Sequence, residues 1–252
     1  MVVRAPAGVS VIVVTRDRPG LVADALASVA AQTLAPLEVR VGDDGGGHEP
    51  ALPGAALLEL TWLPLDHGQP AASRNAAAAG ARGDLLAFLD DDDLWRPDHM
   101  AGLVTAFEDP GVGFAWRDCD VVREEVRADG TRVALERRTI ARDWDEALMR
   151  SDDYLPPSTW GMRRSLFEAL GGFDPSFRYS EDWDLVLRAA AVTRVRRVPG
   201  VSVEVRLRAT GNVSADRTRE RLDCLRRLAG RHGFTPPTPR TFWEVAGLVG
   251  RS

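Results

Sequence analysis

The chain has 252 residues, of which 44% are hydrophobic and 27% are charged, as is typical of a globular protein with a sizeable core. Its formal net charge is −5, which excludes a protein that binds nucleic acid through a general positive charge. Its two cysteines, Cys119 and Cys224, lie far apart, so we expect neither a disulfide framework nor a cysteine-ligated zinc site.

The first half of the chain alternates short apolar runs with helix-like segments, which indicates a parallel sheet covered by crossover helices. The run at residues 9–14 is too short to cross a bilayer and lacks the features of a signal peptide, so it is predicted to be a buried strand. We therefore expect no integral membrane segment and a cytoplasmic location. Further strands are predicted at residues 37–42, 57–63 and 85–89, and helices at residues 18–31 and 69–81.

The second half has a different pattern. Residues 121–126 and 132–136 flank Ala128-Asp129-Gly130, a hairpin signal. Other strands are predicted at residues 158–162, 193–198 and 203–207, and helices at residues 164–170, 181–190 and 215–231. We interpret the chain as one continuous domain with a nucleotide-binding half (residues 8–117), an acceptor-binding half (residues 118–215) and a C-terminal helical tail (residues 216–252).

Four consecutive carboxylates, Asp90-Asp91-Asp92-Asp93, directly follow the predicted strand at residues 85–89. Adjacent carboxylates repel one another, so such a run at the end of a buried strand needs compensating charge. Mg²⁺ and Mn²⁺ prefer carboxylate oxygens and leave coordination positions for substrate phosphates. Ligands of open α/β sheets bind at the carboxyl ends of the strands, where this run would lie. A solvated acidic loop is the alternative, but a strand before the run and Leu94-Trp95-Arg96-Pro97 after it favour a metal site.

Several short segments, spread over roughly residues 8 to 215, occur in a definite order. Each segment alone is weak evidence for a protein family, but the ordered set is specific. The segments are residues 9–19, Gln32-Thr33, Val41-Gly42-Asp43-Asp44-Gly45, Ser73-Arg74-Asn75, residues 83–93, Gly171-Gly172-Phe173-Asp174 and Glu181-Asp182-Trp183-Asp184-Leu185. In this order they resemble the family 2 glycosyltransferases, which have the GT-A fold. The resemblance implies an α/β protein with a Rossmann-like, mostly parallel central sheet flanked by helices, and a smaller mixed acceptor-binding half.

The resemblance also implies a binding site for a nucleotide-sugar donor. Thr15 and Asp44 would line the nucleobase pocket, where Asp44 would accept a base N–H and favour a UDP- or dTDP-type donor; a simple turn residue is the alternative for Asp44. Arg74 would face the diphosphate or the aspartate run, unless it is a solvated helix charge. Asp92 and Asp90 would be the ligands of Mg²⁺ or Mn²⁺. Their neighbours Asp91 and Asp93 would either contact the sugar or ribose or orient the loop. Further donor-site residues would be Arg16, Glu181 and Trp183.

Asp182 matches the catalytic base of the family. A carboxylate is needed there because the acceptor hydroxyl must lose its proton as it attacks the anomeric carbon. Its predicted place at the start of a helix also fits a simple capping residue. Trp183 and Trp160 could stack on a sugar face, although packing in the core is the commoner use of such side chains.

One departure from the family concerns a histidine that many relatives carry near the end of the catalytic domain. The corresponding residues here, 205–214, contain no His. Arg206 or Arg208 would then hold the phosphates, or fewer protein ligands would hold the metal.

The function implied is a metal-dependent, inverting transfer of a sugar to an acceptor hydroxyl. The alternatives are a nucleotidyltransferase and a non-catalytic scaffold that binds a sugar or nucleotide. Residues 143–159 and the C-terminal tail are predicted to shape the acceptor pocket, and the acceptor is left open between a small molecule, a glycan and a lipid-linked molecule. A homodimer and peripheral contact of the basic 215–231 helix with a membrane are also left open.

Overall fold

The structure is a computed structural model that describes residues 8–45, 58–127, 131–208 and 218–250. The predicted hairpin turn Ala128-Asp129-Gly130 lies outside the described residues. So do residue 57 of one predicted strand, residues 215–217 of one predicted helix and residues 209–214 of the segment that lacks a His.

The first half of the sheet is parallel. Its strands are β1 (Val9–Thr15), β2 (Glu38–Asp43), β3 (Leu60–Pro64) and β4 (Leu85–Asp90), in the order β3-β2-β1-β4. β1 and β4 are almost entirely buried, as continuous apolar runs in a covered parallel sheet should be. Helices α1 (Pro19–Ala30) and α2 (Pro70–Ala78) make the crossovers, and each begins with a proline, which suits the first turn of a helix.

The second half of the sheet is mixed. β8 (Trp160–Arg163) pairs antiparallel with β4 and leads to β6 (Val112–Val126), β9 (Arg194–Leu207) and the two-residue strand β5 (Leu94–Trp95). β7 (Arg132–Ile140) pairs antiparallel with β6, as the predicted hairpin requires. The described residues thus form one nine-stranded sheet, and the expectation of an α/β protein with a parallel half and a mixed half is confirmed.

Short helices connect and cover these strands. They are α3 (His99–Thr105), α4 (Glu146–Met149), α5 (Arg164–Ala169), α6 (Glu181–Ala190), α7 (Arg219–His232) and α8 (Phe242–Val249). The predicted bounds of α6 are confirmed. None of the helices in the described parts of the chain is long and apolar enough to cross a membrane.

Two predictions about strands were wrong. Residues 193–198 and 203–207 belong to one strand, β9, because the chain passes Pro199-Gly200 as an irregularity in the pairing rather than as a turn. Gly200 adopts φ +117, and its N–H donates to Asp118 Oδ2 at 2.9 Å. β6 begins at Val112 instead of residue 121, because buried charged residues such as Asp118 interrupt the apolar pattern of its first half.

Several predicted boundaries also shift. Residues 158–159 lie in a 3₁₀ turn, Pro157–Thr159, that precedes β8. Helix α2 ends at Ala78 rather than at residue 81, just before Gly80 with its left-handed φ of +81. Helix α7 begins at Arg219, where the Thr218 side chain accepts a hydrogen bond from the N–H of Arg221.

Aromatic side chains fill the core beneath the carboxyl end of β4. Phe88 contacts Trp160, Phe167 and Phe173, with ring centroids 4.9 to 5.7 Å apart. Trp160 is fully buried, and its indole N–H donates to the carbonyl of Leu155 at 3.0 Å. The packing interpretation of Trp160 is therefore correct, and the sugar-stacking one is wrong. Cys119 and Cys224 are both buried and free.

Candidate active site

The carboxyl ends of β1, β2 and β4 open into a cavity of about 480 Å³. The structure brings every predicted site residue to its wall: Thr15, Arg16, Asp44, Arg74, Asp90, Asp91, Asp92, Asp93, Glu181, Asp182 and Trp183. Residues from the predicted acceptor segment (151–157) and from the C-terminal segment (221–245) complete the wall. The size is that of a site for small ligands.

Asp44 is fixed at the end of β2 as a charged hydrogen-bond acceptor. Its Oδ1 accepts the backbone N–H groups of His67 at 2.6 Å and Gly68 at 3.1 Å. Partial burial raises the pKa of Asp44, but these hydrogen bonds and one from Ser73 outweigh it, so the pKa lies below its ordinary value. The carboxylate is therefore ionised at neutral pH and held in one orientation.

Arg74 lies between two carboxylates of the cavity, one at the end of β4 and one at the start of α6. Its Nη2 donates to Asp90 Oδ1 at 2.6 Å and its Nη1 to Glu181 Oε1 at 2.7 Å, and its side chain is 8% exposed. The guanidinium also lies over the ring of Phe173, 5.5 Å from the centroid. Burial lowers the pKa of Arg74, but the two carboxylates raise it by more, so the group is permanently charged. Arg74 therefore links the end of β4 to the start of α6.

The next residue, Asn75, holds the segment beneath Arg74 in place. Its Nδ2 donates to the carbonyl of Phe173 at 2.8 Å, and its Oδ1 accepts the N–H of Phe173 at 2.9 Å. Gly172 has φ +71, and a Cβ there would lie 2.5 Å from Asn75 Oδ1. The Ser73-Arg74-Asn75 and Gly171-Gly172-Phe173-Asp174 segments, 98 residues apart in the chain, thus form one clamp.

Asp91 and Asp93 anchor the acidic loop to the protein. Asp91 accepts hydrogen bonds from Thr15 Oγ1 at 2.8 Å and from Arg18 Nη1 at 3.2 Å. Asp93 accepts from Ser158 Oγ at 2.6 Å and from the N–H of Arg206 at 3.0 Å. Both are buried, and burial together with the neighbouring Asp92 raises the pKa of Asp91 to about 6. The resemblance implied that these residues either contact the sugar or ribose or orient the loop, and the contacts observed are those of residues that orient the loop.

Asp90 and Asp92 are the more open members of the run, with side chains 27% and 22% exposed. The contacts of the described residues use Asp90 Oδ1, bound to Arg74, and Asp92 Oδ2, bound to Arg208 at 2.7 Å and Arg18 at 3.4 Å. Carboxylate oxygens suit Mg²⁺ and Mn²⁺. Among the described residues no group of three or more His, Cys, Asp or Glu side chains is arranged to hold a metal. Carboxylates of this kind fit Mg²⁺ or Mn²⁺ when substrate phosphates complete the coordination.

A cluster of three carboxyl groups, Glu181, Asp182 and Asp153, also lines the cavity, and Arg74 joins its member Glu181 to Asp90 of the acidic run. Burial raises the pKa of Asp182, and Asp90 adds to the effect against the opposing charge of Arg74. Burial and Asp182 raise the pKa of Glu181 to about 7. Burial and Asp182 likewise raise the pKa of Asp153 well above its ordinary range. Such neighbours titrate as a group, and the three carboxyl groups therefore keep their protons to higher pH than isolated carboxyl groups do.

Trp183 is packed rather than open. Its indole N–H donates to the carbonyl of Met149 at 2.7 Å, and its ring stacks on Phe234 with centroids 6.3 Å apart. Trp183 is 5% exposed at the cavity wall, so its packing role is the better supported of the two.

Several residues of the site are not predicted from the sequence. Asp153 and Ser158 fall inside the segment predicted to shape the acceptor pocket, but no pattern singled them out. Arg18 belongs to a matching segment, yet its ion pairs to Asp91 and Asp92 depend on partners more than 70 residues away. Arg240 and Phe242 come from the C-terminal segment. There Thr241-Phe242-Trp243-Glu244 carries the capping-box pattern that could have predicted α8.

The family model for glycosyl transferase family 2 matches residues 10–171 of this chain. The chain belongs to glycosyl transferase family 2. It is 34% identical over 231 residues to YwdF of Bacillus subtilis, described as an uncharacterized glycosyltransferase, with 90% of this chain and 84% of that protein covered. An uncharacterized glycosyltransferase of Haemophilus influenzae is 26% identical over 71% of this chain and 60% of its own length. By its family the protein is a glycosyltransferase.

Solved structures of glycosyltransferases share the fold. TarS 1-349 of S. aureus, in complex with UDP-GlcNAc, has a TM-score of 0.65 at 19% identity and covers 88% of this chain and 66% of its own. The mannosyltransferase PcManGT of Pyrobaculum calidifontis, in complex with GDP-Man and Mn²⁺, has a TM-score of 0.63 at 21% identity over 97% of this chain and 69% of its own. The predicted GT-A fold is confirmed. The family match ends at residue 171, so any role of Glu181 and Asp182 has to be argued from the geometry of the cavity.

Proposed function

We propose that the protein transfers a sugar from a nucleoside-diphosphate sugar, of the UDP or dTDP type, to an acceptor hydroxyl by a single displacement with inversion. One observation carries the proposal: a single cavity holds Asp44, the acidic loop and Asp182. The family supports sugar transfer, and the structural neighbours in complex with UDP-GlcNAc and GDP-Man support a nucleotide-sugar donor.

The donor would lie along the carboxyl ends of the parallel strands. Asp44, ionised and fixed by two backbone N–H groups, accepts the N–H of a uracil or thymine ring. The diphosphate lies at the acidic loop, where Arg18 and Arg208 already supply positive charge beside Asp92. Because both cations are arginines, each can bind two phosphate oxygens at once through its planar guanidinium group.

The acidic loop, which lies beside the proposed place of the diphosphate, would also hold a divalent cation. Asp92 and Asp90 are the ligands that this chain offers, and their carboxylate oxygens fit Mg²⁺ or Mn²⁺. When bound, such an ion neutralises charge on the nucleoside-diphosphate leaving group.

Asp182 would act as the base. Its carboxylate takes the proton of the acceptor hydroxyl while the acceptor oxygen forms a bond to the anomeric carbon and the bond to the diphosphate oxygen breaks. The backbone N–H of Trp183 donates to Asp182 Oδ1 at 2.8 Å, which orients the carboxylate. Arg74 holds the neighbouring Glu181, so Asp182 is the carboxyl of the pair that is left for the acceptor. Fixed geometry and fixed charge then supply most of the rate acceleration.

The proposal is tested with Asp182→Asn, which keeps the size of the side chain and removes the base. The slow transfer of sugar from a bound donor to water should fall by about 10²- to 10⁴-fold, the usual contribution of a general base. Nucleoside-diphosphate affinity should stay within about twofold, because Asp182 is not expected to touch the nucleotide.

The outcomes separate the proposal from its competitors. Unchanged turnover in Asp182→Asn would show that Asp182 is not the base. Release of pyrophosphate from a nucleoside triphosphate would instead identify a nucleotidyltransferase. Tight donor binding with neither transfer nor hydrolysis would identify a non-catalytic scaffold.

A further inference from the structure

The far wall of the cavity is built by the C-terminal segment. Its apolar members are Leu225, Pro237, Pro239, Phe242 and Val245, here called the C-terminal wall. Leu225 and Val245 are buried, whereas Pro237, Pro239 and Phe242 are half-buried and keep apolar surface at the cavity. None of these side chains carries a polar atom, and the two prolines also lack a backbone N–H.

Hydrogen bonds connect the segment that carries the C-terminal wall to residues near the proposed base. Arg240 Nη1 donates to both oxygens of the buried Asp152, at 2.6 and 2.8 Å. Arg221 Nη2 donates to the carbonyl of Arg240 at 2.8 Å. Asp152 is next to Asp153, a member of the carboxyl cluster with Asp182. The wall therefore has a fixed position relative to the proposed base.

Helix α8 presents Phe242 from its first turn. Thr241 and Glu244 form a complete capping box, which fixes the start of the helix. Arg138 Nη1 also donates to the carbonyl of Trp243 at 2.6 Å. Phe242 is thus held by a rigid helix end rather than by a loop, so its ring is a preformed contact surface.

The C-terminal wall lines the same cavity as Asp182 and Asp153. Two arginines of the C-terminal segment also line it, and there Arg221 donates to the carbonyl of Arg240, and Arg240 donates to Asp152. A glycan acceptor needs hydrogen-bond partners along its length, and a buried sugar hydroxyl left without one is costly. Proline rings and a phenyl ring instead offer flat apolar faces that suit another ring.

We propose that the acceptor is a small molecule whose hydroxyl is carried on an apolar ring system, and that the C-terminal wall binds that ring system. The proposal rests on the proposed function, since it assigns the acceptor side of the same cavity. It selects the small-molecule acceptor from the alternatives that the sequence left open.

The test measures the binding of two phenols, 4-methylumbelliferone and 1-naphthol, whose hydroxyl groups are carried on aromatic rings. It also measures the binding of the trisaccharide maltotriose, and each measurement is made with and without UDP. We expect both aromatic probes to bind and maltotriose to bind at least about tenfold more weakly. Phe242→Ala should weaken binding of the aromatic probes by about tenfold, as loss of an aromatic contact in a cavity commonly does. Leu248→Ala is the matched control, because Leu248 lies on the same helix and is 60% exposed to solvent; it should change binding by less than about twofold.

Preferred binding of maltotriose, no binding of the aromatic probes, or equal effects of Phe242→Ala and Leu248→Ala would each overturn the proposal. Nucleotide affinity, measured on the same samples, reports on the donor site independently. If the aromatic probes fail while nucleotide still binds, the acceptor assignment falls and the proposed function stands. If nucleotide fails while the aromatic probes bind at Phe242, the proposed function falls and the wall remains a binding surface for apolar rings.

Discussion

Glu181 and Asp182 form a pair of adjacent carboxyls with different partners. Glu181 is paired with Arg74, and its pKa is raised to about 7 by burial and by Asp182. The pKa of Asp182 is raised by burial, and Asp90 adds to this. A base works only in its deprotonated form, so activity should be low where the pair holds its protons and should rise with pH as they leave.

This pair gives a pH prediction with a definite sign. Sugar transfer to water should increase with pH, with an apparent pKa above the ordinary range of a carboxyl group. Glu181→Gln removes a neighbouring negative charge, so Asp182 should lose its proton more easily and the rising limb should move to lower pH. The measurement is the pH profile of kcat/KM for both proteins; a rising limb that stays in place or moves to higher pH would contradict the coupling.

At the scale of elements, the clamp between α2 and the loop before α6 decides where Arg74 lies. Gly171 and Gly172 both have left-handed φ angles, +75 and +71. A Cβ on Gly171 meets nothing within 4 Å, whereas one on Gly172 meets Asn75 Oδ1 at 2.5 Å. The two glycines therefore share the backbone cost of substitution and differ only in the clash.

The pair of glycines provides a matched experiment. Gly171→Ala should lower the free energy of unfolding by about 1–2 kcal/mol, the cost of a left-handed non-glycine residue. Gly172→Ala should cost more, because it also breaks the hydrogen bonds of Asn75 to Phe173. Urea unfolding of the two variants measures the difference. Equal losses would mean that the clamp contributes nothing to stability.

The sequence predicts some elements much better than others. β1, β4 and α6 were predicted closely because a continuous apolar run or a helical pattern marks them. The first half of β6 was not, because its buried Asp118 is neutralised by Arg197, which lies 79 residues away. An ion pair across strands leaves no local signal. β5, with only two residues, has no pattern of its own.

The site shows the same contrast between local and distant information. The acidic run at the end of β4 could be assigned to a ligand site because strand ends and carboxylate runs are local features. The pairing of Arg74 with Glu181 joins residues 107 positions apart, so the resemblance could name both residues but not their contact. The C-terminal wall could not be placed at the cavity until α7 and α8 were positioned in three dimensions.

At the scale of the whole molecule, the parallel half of the sheet and the later part of the chain line the same cavity. The parallel half supplies the acidic loop and Asp44, and α6 with the C-terminal segment supplies Asp182 and the C-terminal wall. The chain contains no lysine, so the side chains that balance the acidic loop are arginines, among them Arg18 and Arg208.

The central claim, a donor site in which a divalent cation helps Asp92 and Asp90 hold a nucleoside diphosphate, is tested by calorimetric binding of UDP, dTDP and GDP with and without Mn²⁺. We predict that UDP or dTDP binds and that Mn²⁺ raises its affinity by at least about tenfold. In Asp92→Ala this effect of Mn²⁺ should disappear, whereas in the exposed control Asp66→Ala it should persist. Failure of all three nucleotides to bind, or an undiminished effect of Mn²⁺ in Asp92→Ala, would contradict the account.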